Sequence, residues 1–456
     1  MLTDLKPKMK LSIKEKLGYS FGEFAGSSLW QTMMFFVPIF YTDVYLLPAG
    51  AAATLFLVVK IFDALNDPIM GVVADRTRSR WGRFRPYLLF GALPLGIVTV
   101  LMFTTPDFSD TGKLAYAYVT YFMLLVMYTM IMIPFNSLIG VMTSDPVERT
   151  SLSSYKFVFA YAAGITVQGL LVPMVQKLGQ GNEARGYQLS MLGLAVICMI
   201  ALLVAFLSSR ERVQPDPEVK SSLKNDLGDL VRNRPWIILF FSSLVLLIYI
   251  AIRSASVMYY FEYYLGRKAL AGTFMVAGTL AVLVGVLPTK PLAKRFGKRN
   301  VFVACLVIIT ASLIVNFFAG PEHLVLIFAT QIIFSLASGP TMPLLWSMLA
   351  DSADYSEWKS RRRATGLVYS AATFAQKTGV TLGASFMLFI LGAMGYIANQ
   401  VQTEQSLFAI RFCMTLLPAA IAIAGAILLF FYNLSDSKMS EIEKELNARR
   451  GKKETP

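Results

Sequence analysis

The sequence predicts an all-α, polytopic membrane protein, and three observations carry this prediction. Of 456 residues, 55% are hydrophobic and only 15% are charged, whereas soluble domains have roughly 25% charged residues. Mostly apolar runs long enough to cross a bilayer as a helix, about 20 residues each, recur twelve times along the chain. Lysine and arginine are concentrated in alternate connections between these runs. We therefore expect twelve transmembrane helices.

The composition also excludes other classes of protein. A net charge of +14 occurs in nucleic-acid-binding proteins, but those are far less apolar, so we expect no nucleic-acid partner. The 33 Phe and 20 Tyr residues exclude a disordered chain. A single histidine and three scattered cysteines provide neither metal-ligand spacing nor a nucleophile with its base. We therefore predict that the protein is not an enzyme and that it carries no cofactor.

The twelve predicted spans are separated by polar connections, and their boundaries are approximate by several residues. They cover residues 18–46, 51–74, 86–105, 114–142, 152–176, 187–209, 236–262, 270–290, 300–319, 324–349, 365–394 and 406–433.

The distribution of basic residues predicts the orientation. Of the 42 Lys and Arg residues, 32 fall in the two tails and the even-numbered connections, and five fall in the opposite connections. The positive-inside rule places the basic-rich side in the cytoplasm. We expect a multi-pass protein of the bacterial inner membrane with both termini in the cytoplasm.

The longest hydrophilic connection divides the chain into two halves of six spans. We expect an N-terminal bundle at 1–209, a cytoplasmic linker at 210–235, a C-terminal bundle at 236–433 and a cytoplasmic tail at 434–456. Each half also has a basic, glycine-containing turn between its second and third spans. This echo is typical of duplicated halves related by an axis along the membrane normal, although any short cytoplasmic hairpin can have this composition.

Span 2 carries two carboxylates where a charge is costly. Asp63 and Asp67 are four residues apart, so they share one helix face, with Asn66 beside it. A charge within a span should pair with another group or line a water-filled path. Two carboxylates and an amide oxygen suit Na⁺ or a proton. A gating ion pair or an anchor at the cytoplasmic end is the alternative interpretation.

Other polar residues inside the spans are candidates for substrate binding or coupling. Lys377 and Thr373 lie in span 11, and Lys377 is too deep for its ammonium group to reach the interface easily. Glu23 lies early in span 1 and Lys156 early in span 5. Span 4 contributes Tyr128 and Asn136. The sequence assigns no role to Arg253 or Arg411.

At these positions the chain resembles the glycoside–pentoside–hexuronide:cation symporters, the melibiose permease family of the major facilitator superfamily. The resemblance extends over nearly the whole chain, and its most specific motifs are Phe40–Val44, Phe62–Gly71, Arg78–Pro86, Tyr128–Leu138 and Ala350–Glu357. It implies a major facilitator fold of two six-helix bundles with substrate bound between them.

The resemblance also assigns roles to individual residues. It implies a cation site formed by Asp63, Asn66, Asp67 and Thr129, with Na⁺ slightly favoured because Asn66 and Thr129 add neutral oxygens. It matches Lys377 to the family's span-11 lysine, Glu23 to an acidic residue after the first-span glycine and Lys156 to a basic residue of span 5. The remaining candidates for substrate binding or coupling are Ser27, Tyr128, Met132, Asn136 and Thr373.

The departures from the family pattern concern the sugar. Two aspartates that grip sugar hydroxyls in melibiose permeases are replaced by Ser27 and Met132, and a tryptophan is replaced by Asn136. Methionine accepts essentially no hydrogen bonds, so galactoside recognition of that kind is not expected. Loss of two acids with retention of Lys156 suggests a more positive cavity. That is compatible with a hexuronide and equally with a neutral glycoside or pentoside.

We predict a secondary active transporter that couples sugar or glycoside symport to Na⁺ or H⁺ by alternating access. The alternative is a symporter of another solute, such as an amphiphilic or lipid-like molecule. Its partners would be the sugar, the coupling cation and the bilayer, and we expect a monomer. Ion pairs at the cytoplasmic face are expected to bias the conformational change, with gating residues Asp75, Arg83, Arg85, Asp351, Asp354, Glu357 and Arg363.

Overall fold

The computed structural model describes residues 10–143, 145–212, 233–360, 365–434 and 436–451, and within them all regular structure is helical. The chain divides into two compact units. The first unit contains seven helices together with residues 397–400. These helices are α1 (Ile13–Phe35), α2 (Val37–Ile39), α3 (Ala49–Arg76), α4 (Arg85–Met102), α5 (Asp110–Met142), α6 (Pro146–Gly179) and α7 (Glu183–Ser208).

The second unit contains the remaining helices of the described chain. They are α8 (Arg234–Tyr259), α9 (Leu270–Val286), α10 (Thr289–Phe296), α11 (Lys298–Phe317), α12 (Leu324–Ser338), α13 (Thr341–Ser360), α14 (Thr365–Ala393), α15 (Glu404–Met414), α16 (Leu416–Phe430) and α17 (Asp436–Gly451). The predicted linker at 210–235 falls largely outside the described residues, so its boundaries stay a prediction.

Each of the twelve predicted spans coincides with one helix or with two or three helical elements in succession. In the described residues, ten helical segments are long and apolar enough to cross a membrane, and the pair α9 and α10, bent by 49°, makes up to eleven. The remaining predicted span is α1, whose mean hydropathy is lowered by glycine, serine and Glu23. The predicted all-helical, multi-pass membrane fold is confirmed.

The two units repeat one order of helix packing. Counted by spans, the first span of each unit packs on the fifth and sixth, the third packs on the fourth and sixth, and the second packs on the fourth. In the first unit these contacts join α1 to α6 and α7, α4 to α5 and α7, and α3 to α5. In the second they join α8 to α14 and α16, α11 to α12 and α16, and α9 to α12. This repetition supports duplicated halves.

A second echo lies at the end of the first span of each unit, where the helix widens into a π-helical turn. The two turns are Phe40–Val44 and Tyr260–Tyr264. In one, Leu47 N–H donates to the carbonyl of Tyr41 at 2.8 Å, and in the other Arg267 N–H donates to Phe261 at 2.8 Å. The π-helical turn is therefore a second repeated feature, in addition to the basic turns identified from the sequence.

The predicted tail contains α17, which packs on α13. Its apolar side chains Met439, Ile442 and Leu446 are buried. Trp358 Nε1, on α13, donates a hydrogen bond of 2.7 Å to the carboxylate of Glu445. Much of the tail is thus attached to the second unit through a helix that carries a narrow apolar stripe.

Close approach of α8 and α14 depends on two glycines one turn apart. A Cβ atom at Gly379 would lie 2.6 Å from the carbonyl oxygen of Leu244, and one at Gly383 would lie 2.6 Å from that of Ile248. Small residues at such positions let helix backbones pack closely within a membrane. This contact holds together the first and fifth spans of the second unit.

We predict that Gly383→Ala destabilises the protein by about 1–3 kcal/mol, because the added methyl group meets backbone that cannot move aside. The measurement is the midpoint of thermal unfolding in detergent. Gly140→Ala on α5 is the control, since nothing lies within 4 Å of a Cβ atom there. Equal midpoints for the two variants would contradict the prediction.

Candidate functional site

Asp63, Asp67 and Thr129 come together where α3 packs on α5. Thr129 Oγ1 donates a hydrogen bond of 2.7 Å to Asp63 Oδ1 and lies 3.4 Å from Asp67 Oδ1. Thr129 is buried, and the two aspartates are half-buried. The i,i+4 spacing on α3 points both carboxylates toward the same residue of the neighbouring helix. The structure therefore brings together three of the four residues predicted for the cation site.

Asn66 lies on the same turn of α3, and its Nδ2 atom is buried without an acceptor among the described residues. The participation of Asn66 in the cation site stays a prediction. Nowhere in the described chain do three or more His, Cys, Asp or Glu side chains form a metal-binding group. Two carboxylates with neutral oxygens fit a monovalent transported ion.

A second polar cluster joins four of the predicted substrate-binding residues. Lys156 Nζ lies 3.2 Å from Glu23 Oε2 and donates a hydrogen bond of 2.5 Å to Asn136 Oδ1. Ser27 Oγ donates to Glu23 Oε1 at 2.8 Å. The Glu23 and Lys156 side chains are 15% and 24% exposed, and Asn136 is exposed. The Oε2 atom of Glu23 that faces Lys156 is itself buried.

Glycines on α1 bring the second cluster together. A Cβ atom at Gly22 would lie 2.4 Å from the Phe135 ring, and one at Gly26 would lie 2.3 Å from Met132 Cε. Tyr19 stacks on Phe135 with ring centroids 4.6 Å apart. Because Glu23 and Ser27 each follow one of these glycines, the face they share is fixed at the edge of the contact between α1 and α5.

Two observations concern the departures from the family pattern. Met132 is only 8% exposed, and its thioether packs against Gly26. Lys156 is paired with Glu23 at 3.2 Å, and the net charge of the cavity stays a prediction.

Tyr128 directly precedes Thr129 on α5, and Asn136 lies about two turns further along the same helix. One helix thus carries residues of both polar clusters.

The candidates of span 11 lie on α14, in the second unit. Lys377 is half-buried, and its backbone carbonyl accepts a hydrogen bond of 2.9 Å from Thr381 Oγ1. Thr373 is exposed on the same helix. The role of Lys377 and Thr373 in substrate binding or coupling stays a prediction.

The predicted gating residues make contacts within their own units. Arg83 lies 3.9 Å from Asp75, and the guanidinium group of Arg85 donates to the carbonyl of Phe206 at 2.9 Å. Asp351 pairs with Lys298 at 2.6 Å beside a cavity of about 180 Å³. Asp354 and Glu357 lie on α13. Arg363 lies outside the described residues, and the gating role of the whole set stays a prediction.

The sequence interpretation missed an acidic residue that holds the turn between α3 and α4. The carboxylate of Glu211 accepts hydrogen bonds from the backbone N–H groups of Arg83, Phe84 and Arg85 at 2.8, 2.8 and 3.1 Å. The N-terminus of a helix favours an anion at this place. Gly82, at φ +108°, makes room because a Cβ atom there would lie 2.5 Å from Glu211.

Two further ion pairs at this end of the first unit were also missed. Lys16 lies 2.8 Å from Glu148, and Arg212 lies 2.5 Å from Glu15. Each joins residues more than 130 positions apart in sequence. Because the partners are so far apart in sequence, no local sequence pattern predicts these ion pairs.

The two arginines without a predicted role lie in the second unit. Arg253 is buried, donates a hydrogen bond of 2.6 Å to Gln331 Oε1 and lies 4.0 Å from the centre of the Phe334 ring. Arg411 Nη2 donates to the carbonyl of Phe317 at 2.5 Å. Both guanidinium groups are thus stabilised by neutral partners and by aromatic rings.

Two helical bundles with one repeated packing order, together with a carboxylate pair inside a span, define a membrane transporter of the major facilitator type. Residues 18–436 match the family described as MFS/sugar transport protein. The chain belongs to this family. Its membership confirms the prediction of a transporter rather than an enzyme.

Similar proteins match over almost their whole length. YagG of Escherichia coli (strain K12), which carries the provisional name glycoside/cation symporter, is 37% identical over 96% of this chain and 95% of its own. The glucuronide carrier protein homolog of the same organism is 34% identical over 97% of both chains. The isoprimeverose transporter of Lactiplantibacillus pentosus is 35% identical over 95% of this chain and 90% of its own.

Solved structures support the fold. A crystal structure of a mutant form of the nucleoside transporter NupG matches with a TM-score of 0.66, covering 92% of this chain and all of that one. At 14% sequence identity, this likeness concerns the fold alone.

We predict that Glu211→Gln destabilises the protein by about 1–2 kcal/mol, because the amide replaces a charged acceptor shared by three N–H groups. Asp75→Asn is the control, since its exposed ion pair at 3.9 Å should contribute little. Thermal unfolding in detergent measures both variants. A midpoint for Glu211→Gln no lower than that of Asp75→Asn would contradict the prediction.

Proposed function

We propose that the protein is a symporter that couples transport of a sugar or glycoside to a cation by alternating access. Its family membership and the names of its relatives, a glycoside/cation symporter and an isoprimeverose transporter among them, support this proposal. The observation that carries it is the convergence of Asp63, Asp67 and Thr129 inside the first unit. The bacterial inner membrane, cytoplasmic termini and a monomeric state belong to the same proposal.

The chemistry of coupling follows from the cost of charge inside a span. Two neighbouring carboxylates repel each other, and each is expensive in a membrane. A bound cation offsets both effects and draws the oxygens of Asp63, Asp67 and Thr129 together. Because Thr129 of the first cluster and Asn136 of the second lie on the same helix, α5, a shift of that helix on cation binding would reach Glu23 and Lys156. By linkage, a sugar must then tighten cation binding by the same factor by which the cation tightens sugar binding.

Between the two ions, we propose Na⁺. A proton needs only one carboxylate, whereas Na⁺ requires several oxygen ligands at once. The hydroxyl group of Thr129, placed 2.7 Å from one carboxylate oxygen and 3.4 Å from another, and the amide of Asn66 supply neutral oxygens in addition to the acids. This arrangement favours the ion with the larger coordination number.

We predict that Asp63→Asn abolishes accumulation driven by an ion gradient. The isosteric amide removes one of the two negative charges that attract the cation, while the hydroxyl of Thr129 keeps a hydrogen-bond partner. The measurement uses the full chain in proteoliposomes and a panel of labelled glycosides, pentosides and hexuronides, under an imposed Na⁺ or H⁺ gradient. Wild-type accumulation without any gradient, or full accumulation by Asp63→Asn, would refute coupling at this site.

Asp110→Asn provides the matched control for this experiment. Asp110 is an exposed aspartate in the first turn of α5, the same helix that carries Thr129. Its substitution removes one carboxylate without touching either polar cluster, and we expect accumulation to remain at the wild-type level.

We predict that Thr129→Val weakens the apparent affinity for Na⁺ by at least tenfold, because valine has the shape of threonine without its oxygen. Thr129→Ser should restore most of that affinity. The measurement is the Na⁺ concentration that gives half-maximal sugar uptake. If Thr129→Val leaves uptake unchanged and uptake follows the pH gradient alone, the coupling ion is the proton and the Na⁺ assignment is wrong.

A further inference from the structure

Each unit holds the end of its sixth span with an arginine from the first turn of its third span. In the first unit, Arg85 Nη2 donates a hydrogen bond of 2.9 Å to the carbonyl of Phe206, and the guanidinium carbon lies 4.7 Å from the centre of that ring. In the second unit, Arg299 Nη2 donates to the carbonyl of Phe430 at 3.0 Å, and its guanidinium carbon lies 5.7 Å from the ring centre. The two arrangements are equivalent parts of the repeat.

A glycine with positive φ precedes each arginine. Gly82 lies three residues before Arg85, at φ +108°, and Gly297 lies two residues before Arg299, at φ +85°. In the first unit this turn binds a carboxylate, because Glu211 accepts hydrogen bonds from three successive backbone N–H groups. The start of the third span thus binds an anion supplied by the chain itself.

The corresponding residue of the second unit has no charge. Glu211 is the third residue after the end of α7, and Asn433 is the third residue after the end of α16. The N-cap residue of α11 is Gly297, which has no side chain to accept a hydrogen bond from the first turn. The second unit therefore has an amide and a glycine where the first has its acid.

A cavity of about 180 Å³ lies at this place in the second unit. Its lining includes residues 297–300 at the start of α11 and residues 432–434 after α16, together with Met348 and Asp351 of α13. The cavity thus lies between the two segments that correspond to those joined by Glu211 in the first unit.

The charges around the cavity favour an anion. Lys298 Nζ lies 2.8 and 2.6 Å from the two carboxylate oxygens of Asp351, so these two charges compensate each other. Arg299 adds a positive charge, and its Nε atom is buried without an acceptor among the described residues. The side chains of the lining thus carry one net positive charge, and the N-terminus of α11 adds to it.

The N-terminus of a helix binds phosphate groups readily, because its N–H groups and its dipole both favour an anion. A ligand without a covalent tether must be held by its own contacts alone. Phosphate has more charge and more acceptor oxygens than a carboxylate, and it suits a cavity that combines backbone N–H groups, a guanidinium group and an amide.

We propose that this cavity binds a phosphate group, of a free phosphate ion or of a lipid headgroup, at the place where the first unit uses Glu211. The phosphate oxygens accept hydrogen bonds from the first turn of α11 and from Asn433, and Arg299 balances the charge. The ligand then joins the start of α11 to the end of α16. The site lies within the second unit and shares no residue with the two polar clusters of the first.

The test uses the purified full-length protein in dodecyl maltoside micelles, which contain no phosphate. One arm adds inorganic phosphate at constant ionic strength, and the other adds phosphatidic acid to the micelles. The measurement is the midpoint of thermal unfolding, because a ligand that binds only the folded state raises it. We expect at least one of the two to raise the midpoint by about 2 °C or more at saturation, and the one that acts at the lower concentration identifies the source of the phosphate group.

Asn433→Glu separates this site from other effects of phosphate. The substitution places a carboxylate at the position that corresponds to Glu211, so the variant should no longer respond to either probe, with a midpoint at least as high as that of the wild type without ligand. Arg299→Gln should raise the concentration needed for the half-maximal effect at least tenfold, because a charged donor is lost.

Arg295→Gln is the matched control. Arg295 is exposed, lies four residues before Arg299 and is not part of the cavity lining, so this variant should respond as the wild type does. The proposal is overturned if neither probe raises the midpoint of the wild type. A rise that persists unchanged in Asn433→Glu and Arg299→Gln would show an adventitious ion only and would overturn it as well.

Discussion

Charge inside an apolar bundle must be compensated, and most polar contacts of this protein follow from that constraint. Glu23 and Lys156 compensate each other at 3.2 Å, and Arg253 is held by an amide and an aromatic ring. Asp63 and Asp67 share the hydroxyl group of Thr129. These are the carboxylates that we propose bind the coupling cation.

Much of the cation site could be predicted from the sequence, because its geometry is local. Asp63 and Asp67 are four residues apart on one helix, and this spacing alone places them on one face. Thr129 came from the family resemblance. Glu211 could not be found in this way, since it lies 126 to 128 positions from the N–H groups that it accepts. The helical spans were predictable for the same reason as the aspartates, since length and apolarity are properties of a short segment.

The second cluster shows what a count of acids and bases leaves out. Counting acids and bases suggested a positive site, because two aspartates of the family pattern were missing. In the structure, Glu23 lies close enough to Lys156 to form an ion pair, which a count of acidic and basic residues does not reveal. Gly22 and Gly26 make this position of Glu23 possible, because they let α1 pack closely against Phe135 and Met132. A glycine in an apolar run gives no sign of the charged residue that it positions.

The repeated π-helical turns have a consequence for how the two halves diverged. They begin at Phe40 and Tyr260, which places the two first spans in register 220 residues apart. At that offset, the position of Glu23 corresponds to that of Ser243. Ser243 is buried, and its hydroxyl group donates a hydrogen bond of 2.8 Å to the carbonyl of Leu239. The π-helical turn is thus found in both units, whereas the same register holds a carboxylate in the first unit and a hydroxyl group in the second.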